Sequence, residues 1–243
     1  MTTGTFEPFK KVGCSPGHLL DREIILWQPE VVDCTLAVKG DRIHLDHSYE
    51  LFSALSRKQI VLHDPSLKVG IFGINGSQDR KNRTILHLSD KSRLRLRLPI
   101  KDVGIAYRLE GQSLIVGSSE LQLGEVNIRW LDPAPSLTSR LIVIKNATEP
   151  DLFLASCQRQ IDELNIQGEI ALDDRSNGQA KYKTIKVRGF TVMGFGLTIT
   201  SLNPVDSLIL QQEGLGGKRK MGCEMFVPVQ SLNNNETQND SPA

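Results

Sequence analysis

The sequence predicts an α+β chain built from two tandem, duplicated ferredoxin-like (RRM-like) βαββαβ units. Strand-period and helix-period segments follow one another in the order βαββαβ, and that order then returns. A break with two prolines, Asp132-Pro-Ala-Pro-Ser136, stands between the two runs. Of the 243 residues 39% are hydrophobic and 23% charged, somewhat less apolar than usual but enough to bury a core.

Residues 31 to 40, VVDCTLAVKG, read as a strand. Asp46 precedes a periodic run through Tyr49, Leu51, Phe52 and Leu55, which predicts an amphipathic helix with Asp46 as its N-cap. LKVGIFGI, TILHL and the alternating SRLRLRL follow as strands, a short helix is expected near Lys101 to Leu109, and QSLIVGS and VNIRWL close the unit. Past the break, SRLIVIK is a strand and Glu149 to Leu164 a helix opened by Thr148 and Pro150. GEIAL, KYKTIKVR and Phe190 to Thr200 are strands, Pro204 to Gln212 is the last helix, and MGCEMFVPV closes. The expected divisions are an N-terminal extension over 1–30, a first domain over 31–132, a linker over 133–138, a second domain over 139–232 and a polar, disordered tail over 233–243.

No window approaches the roughly 18 uncharged apolar residues of a membrane span. Met1 to Val12 lacks the apolar stretch of a secretory signal, so a cytoplasmic protein without a membrane partner is expected. Cys14, Cys34, Cys157 and Cys223 lie far apart, with no CxxC pair and no histidines at finger-like spacing. They read as structural thiols, and neither a metal nor a cofactor is expected. The 29 Lys plus Arg balance 28 Asp plus Glu to a net +1, but the cations are clumped where the anions are not.

The sharpest clump is Glu213-Gly-Leu-Gly-Gly-Lys-Arg-Lys-Met-Gly222, three cations in a glycine-rich turn that follows a helix. Gly214, Gly216, Gly217 and Gly222 permit positive φ and let backbone N–H groups approach an anion, while Lys218, Arg219 and Lys220 supply charge for phosphate. It is not a P-loop, because GxxxxGK[ST] opens a helix and these glycines end one. A glycine C-cap followed by a solvated basic turn is the structural alternative. In SRLRLRL, strand alternation puts Arg93, Arg95 and Arg97 on one face, either to grip phosphates of an RNA stem or to keep an edge strand soluble. Lys181, Lys183, Lys186 and Arg188 in KYKTIKVR make a weaker version of the same case. Two tryptophans and three tyrosines are few for stacking on single strands as a main binding mode.

The run LILQQEGLGGKRKMGCEMFVPV resembles the C-terminal glycine-rich loop of the CRISPR repeat-processing endoribonucleases, the sixth Cas protein of the RAMP superfamily, in its compact cyanobacterial and myxobacterial form. DHSYELFSAL, SRLRLRLPI, PAPSLTSRLIVIK and FLASCQRQIDEL resemble that form in the same order, so the likeness spans roughly residues 31 to 229. Glu224 stands where the family usually has a further glycine, and Phe52 where many relatives carry a catalytic tyrosine. The resemblance implies metal-independent cleavage of the precursor transcript within each repeat, leaving a 2′,3′-cyclic phosphate and a 5′-hydroxyl. It implies a CRISPR repeat stem-loop as the RNA partner and retention of the product, and it leaves open other Cas proteins of an effector complex and a homodimer.

Such cleavage needs a base for the attacking 2′-hydroxyl, an acid for the leaving 5′-oxygen and positive charge on the phosphate. Histidine suits the proton transfers. The resemblance puts the catalytic histidine at His63, in VLHDP, with Lys68 five residues on to stabilise the transition state. His47, at the start of the first helix, is the alternative, and Tyr49 is the tyrosine that could stand in for Phe52. The rival function is a non-cleaving, crRNA-binding structural subunit of an effector complex. A ferredoxin-like module for a small molecule or a protein comes third.

Overall fold

The structure is a computed structural model that describes residues 30–174 and 180–229. The N-terminal extension other than Glu30, the leader argument on Met1 to Val12, Cys14 and the polar tail lie outside the described residues.

The first half is built on strand β1, Val31–Lys39, whose alternation turns Val32, Cys34, Leu36 and Val38 inward and leaves Asp33 and Thr35 on the opposite face. It pairs antiparallel with β6, Arg93–Pro99, on one side and with the long β8, Ser119–Trp130, on the other. The short β3, Gly70–Ile71, and β7, Ser113–Val116, complete an antiparallel sheet ordered β3-β6-β1-β8-β7. Helix α1, Ser48–Lys58, lays Leu51 and Leu55 onto Leu94, Leu96 and Leu98 of β6, and the four-residue helix α2, Gly104–Tyr107, adds Ile105 and Ala106. Each fully buried leucine is worth roughly 1.5–3 kcal/mol.

In the second half β9, Leu137–Ile142, lies between β12, Phe190–Thr200, and β13, Phe226–Pro228, while β10, Glu169–Leu172, takes the edge, giving the order β10-β12-β9-β13. Helix α3, Pro150–Glu163, turns Phe153, Cys157 and Ile161 onto Phe195, Leu197 and Ile199, at the spacing of one helical face. Helix α4, Pro204–Glu213, is capped by Asn203, whose side chain accepts from the Asp206 N–H. Both sheets therefore run second, third, first, fourth along their βαββαβ units, the ferredoxin-like order expected from the sequence. Cys34, Cys157 and Cys223 are buried free thiols, pushed up by burial to between about 11 and about 12.

The structure corrects several local expectations. TILHL does not join the main sheet: β5, Ile85–His87, pairs with β2, Arg42–His44, and β4, Ser77–Gln78, in a separate three-stranded sheet. LKVGIFGI contributes two strand residues, because its glycines serve close packing: a Cβ at Gly70 would collide with Met225, and Gly73 lies against the His47 ring. The N-cap of α1 is His47, and the Asp46 carboxylate accepts instead from the Lys186 N–H of β11, Tyr182–Val187.

The Arg95 face of β6 grades from open to closed. Arg93 is exposed, the Arg95 side chain is 35% exposed over the Phe72 ring, and Arg97 is 1% exposed. Arg97 grips Asp33 with Nε and Nη2 at 2.8 and 2.9 Å, and its Nη1 donates to the carbonyls of Gln211 and Phe226 in the second half. Its expected place among RNA-facing arginines is therefore corrected: Nε and Nη2 are held by Asp33 of the neighbouring strand and Nη1 joins the first sheet to the second half, so none of the three faces solvent. Gln211 Nε2 donates to Asp132 O, Ala134 N donates to Ser207 Oγ, and Val31, Leu131 and Leu208 form a small cluster, so α4 also holds the proline-rich connection.

Candidate active site and nucleic-acid interface

The glycine-rich turn leaves α4 through Gly214 at φ 69 and continues through Gly216 at φ 93, Lys218 at φ 75, Gly222 at φ 74 and Glu224 at φ 67. Two of these glycines are required sterically: a Cβ would stand 2.7 Å from Glu224 O at Gly214 and 2.7 Å from Val143 O at Gly216. Gly217 N donates to Val143 O, Gly216 N to Gln160 Oε1 and Glu224 N to Leu141 O, so the turn is anchored along its own half.

Its three cations go to different places. Lys218 is exposed. Arg219 points inward and donates from Nη1 to Glu213 O, while its Nε and Nη2 are buried without a protein partner. Burial, with Arg97 nearby, pushes its guanidinium down to about 10. Lys220 crosses to the first half, where Nζ donates to Leu62 O at 2.8 Å and to Asp64 O at 2.5 Å, the two carbonyls that flank His63. Lys68 also crosses, pairing with Glu213 Oε2 at 2.8 Å.

Glu224 explains its own departure from the resemblance. Its φ of 67 lies in the left-handed region that favours glycine. Its side chain faces inward at 7% exposure, burial pushes the carboxyl up to about 7, and Arg219 pulls the other way. The carboxylate at this position is turned away from the surface.

His63 ends a 3-10 turn, Ile60–His63, is exposed, and meets Phe52 edge-on with ring centroids 5.6 Å apart. It opens on a cleft of about 320 Å³ shared with Tyr49, Ser53, Arg57, Arg188 and Met221. His47 is 4% exposed and saturated: Nδ1 lies 2.8 Å from His44 O, and Nε2 accepts from Ile74 N at 2.9 Å. These partners select the neutral tautomer protonated at Nδ1, and burial lowers its pKa against the opposing pull of the His44 and Leu45 carbonyls.

Arg188 reaches the cleft from the turn joining β11 to β12. Arg188 at φ 50 and Gly189 at φ 82 are the paired left-handed residues of a tight two-residue hairpin. Arg188 Nε donates to Tyr49 Oη at 3.2 Å, and the Lys186 N–H on Asp46 ties the same hairpin to the start of α1. Arg57 and Ser53 were not singled out from the sequence, although Tyr49, Ser53 and Arg57 recur every four residues and mark one helical face. Arg57 Nη1 donates to Ser53 Oγ and Nη2 to Ile115 O.

Of the other expected contacts, Lys183 is paired with Asp173, whereas the Lys186 side chain is exposed on the opposite strand face. Arg93 donates from Nη1 to the carbonyls of Asp90 and Ser92 at the open end of β6. No group of His, Cys, Asp or Glu that could hold a metal occurs among the described residues, and no described helix is long and apolar enough to cross a membrane.

The sequence profile described as Cas6 Crispr matches residues 32–231. The CRISPR-associated endonuclease Cas6 of Myxococcus xanthus (strain DK1622) is 34% identical over 197 residues, 81% of each chain. Two solved structures share the fold: a CRISPR associated protein Cas6, at a TM-score of 0.59 and 13% identity, covers 82% of this chain and 100% of its own. A Cas6-related protein from Pyrococcus furiosus, at 0.61 and 14%, covers 82% of this chain and 99% of its own. With the profile spanning both ferredoxin-like halves and the turn that joins them at His63, the chain belongs to the Cas6 family.

Proposed function

We propose that this chain is a metal-independent endoribonuclease that binds a CRISPR repeat hairpin, cuts it once, leaves a 2′,3′-cyclic phosphate and a 5′-hydroxyl, and retains the crRNA product. The name of the Myxococcus xanthus relative, an endonuclease, supports the activity. One observation carries the reading of the site: Lys220 of the glycine-rich turn is bonded to both carbonyls flanking His63, so the cationic bend and the exposed imidazole form one surface.

The roles follow from access. His63 has no hydrogen-bond partner among the described residues, which leaves both ring nitrogens for RNA; His47 has neither free. His63 takes the 2′-hydroxyl proton or delivers one to the 5′-oxygen, as the 2′-oxygen–phosphorus bond forms and the phosphorus–5′-oxygen bond breaks. Tyr49 Oη, held by Arg188, is the second hydroxyl in the cleft. Arg57, Arg188 and the exposed Lys218 supply charge for the phosphates, with Arg93, Arg95 and Lys186 as outer contacts. Lys68, held by Glu213, secures the turn and lends less charge to the phosphate. The two sheets and their proline-rich connection are read as two domains that close this cleft between them.

The test is incubation with a synthetic repeat RNA in EDTA. Two fragments are expected, and a 2′-deoxy sugar at the scissile nucleotide should abolish them. His63→Ala should lose cleavage by orders of magnitude and keep RNA affinity; an unchanged rate would remove His63 from the mechanism. Binding without fragments in the wild type would make the chain a non-cleaving crRNA-binding subunit.

A further inference from the structure

Phe190 is 76% exposed, more than any other Phe, Tyr or Trp among the described residues. It sits at the tip of the β11–β12 hairpin, directly across the Arg188–Gly189 turn from Val187. Cross-strand partners project to the same face, and Val187 lines the His63 cleft, so Phe190 stands at the rim of that cleft. The next pair along this face, Ile185 with Val192, is packed with Leu141 and Cys223. The apolar face of the hairpin thus continues past its own core into an aromatic ring that nothing described covers.

The tip is held in place. The Lys186 N–H on Asp46 and Arg188 Nε on Tyr49 Oη pin the hairpin to α1, and Phe190 lies two residues beyond Arg188 on that pinned turn. An exposed aromatic ring on an anchored turn that also carries an arginine can hold a nucleobase whatever its identity. The chemistry calls for one: in an A-form helix the 2′-hydroxyl is not in line with the neighbouring phosphorus–oxygen bond, so the nucleotide at the cut must be splayed. Splayed bases are typically held by stacking on aromatic rings.

We propose that Phe190 stacks on an unpaired base of the repeat RNA next to the scissile phosphate and holds the splayed nucleotide for cleavage at the His63 cleft. Phe190 is in this role a positioning and specificity-determining residue, and the inference rests on the cleft being the cleavage site. The test compares wild type, Phe190→Ala, Phe190→Leu and Phe190→Trp on a repeat RNA and on a series with single abasic substitutions on either side of the cut. Ala and Leu should lose about 5- to 150-fold in kcat/KM, the range of base–aromatic stacking, and Trp should keep most of the activity. One abasic position should lower the wild type by a similar factor and erase its advantage over Phe190→Ala. With an uncleavable 2′-deoxy RNA, that abasic position should likewise abolish the RNA-dependent change in Phe190→Trp fluorescence. Wild-type cleavage with an undiminished Phe190→Ala, full activity in Leu, or a penalty indifferent to every abasic position would overturn the stacking role while leaving the cleft intact. A wild type that leaves the repeat uncut would remove the cleft reading and this role with it.

Discussion

Glu224 shows how much one backbone angle decides. At φ 67 it occupies a conformation natural to glycine, and the carboxyl it brings is buried beside Arg219 and raised from 4.5 to about 7. A carboxyl raised in the folded state holds its proton more tightly there than in the unfolded chain, so its contribution is fully present below pH 4.5 and is lost as pH rises through about 7. Glu224→Gln should therefore match the wild type near pH 4.5 and exceed it in thermal stability at pH 8, by at most about 3 kcal/mol. Melting curves across that range check this, and a gap constant with pH would mean that the carboxyl stays ionised when buried. His47 and His63 make the same point by contrast. Both were legible as histidines near the first helix, but only the fold shows one saturated by backbone and the other open.

Among the elements, the glycine-rich turn is shaped by its contacts more than by its charge. Of its three cations, Lys218 is left to solvent, Arg219 is turned inward, and Lys220 is used to hold the His63 turn. Lys220→Ala should consequently act on rate more than on binding: cleavage slower by about 10- to 100-fold, as expected for a misplaced catalytic group, with RNA affinity reduced by the loss of at most one phosphate contact. Single-turnover cleavage beside a salt-dependent binding titration separates the two, and a loss confined to affinity would make Lys220 a plain phosphate ligand. The β11–β12 hairpin is the second such element. Its strands were readable from alternation, but its docking on α1 through Lys186 and Arg188 depends on residues 140 and 139 positions away, beyond any local pattern.

For the whole molecule, the decisive contact is Arg97. One buried guanidinium joins β1, α4 and β13 through Asp33, Gln211 and Phe226. Arg97→Ala would leave Asp33 and two carbonyls short of a donor, and a cost of roughly 3–5 kcal/mol is expected in urea or thermal unfolding. A loss under about 1 kcal/mol would show that water replaces the guanidinium without penalty.

What the sequence alone determined is the order of the principal strands and helices of the two units; the small sheet of β2, β4 and β5 was not legible in it. Periodicity in VVDCTLAVKG, SRLRLRL and the FLASCQRQIDEL helix, with the prolines of Asp132 to Ser136 between the halves, was enough for a duplicated ferredoxin-like fold. Those signals are local, because alternation and helical spacing follow from backbone geometry. Only the tertiary structure decided which of three identical arginines on β6 meets solvent, which histidine is open, and that Arg57 and Arg188 line one cleft with His63. Burial and hydrogen-bond partnership come from segments distant in sequence, Ile74 donating to His47 within the first half and Gln211 and Phe226 of the second half closing over Arg97, and no local periodicity encodes where those contacts fall.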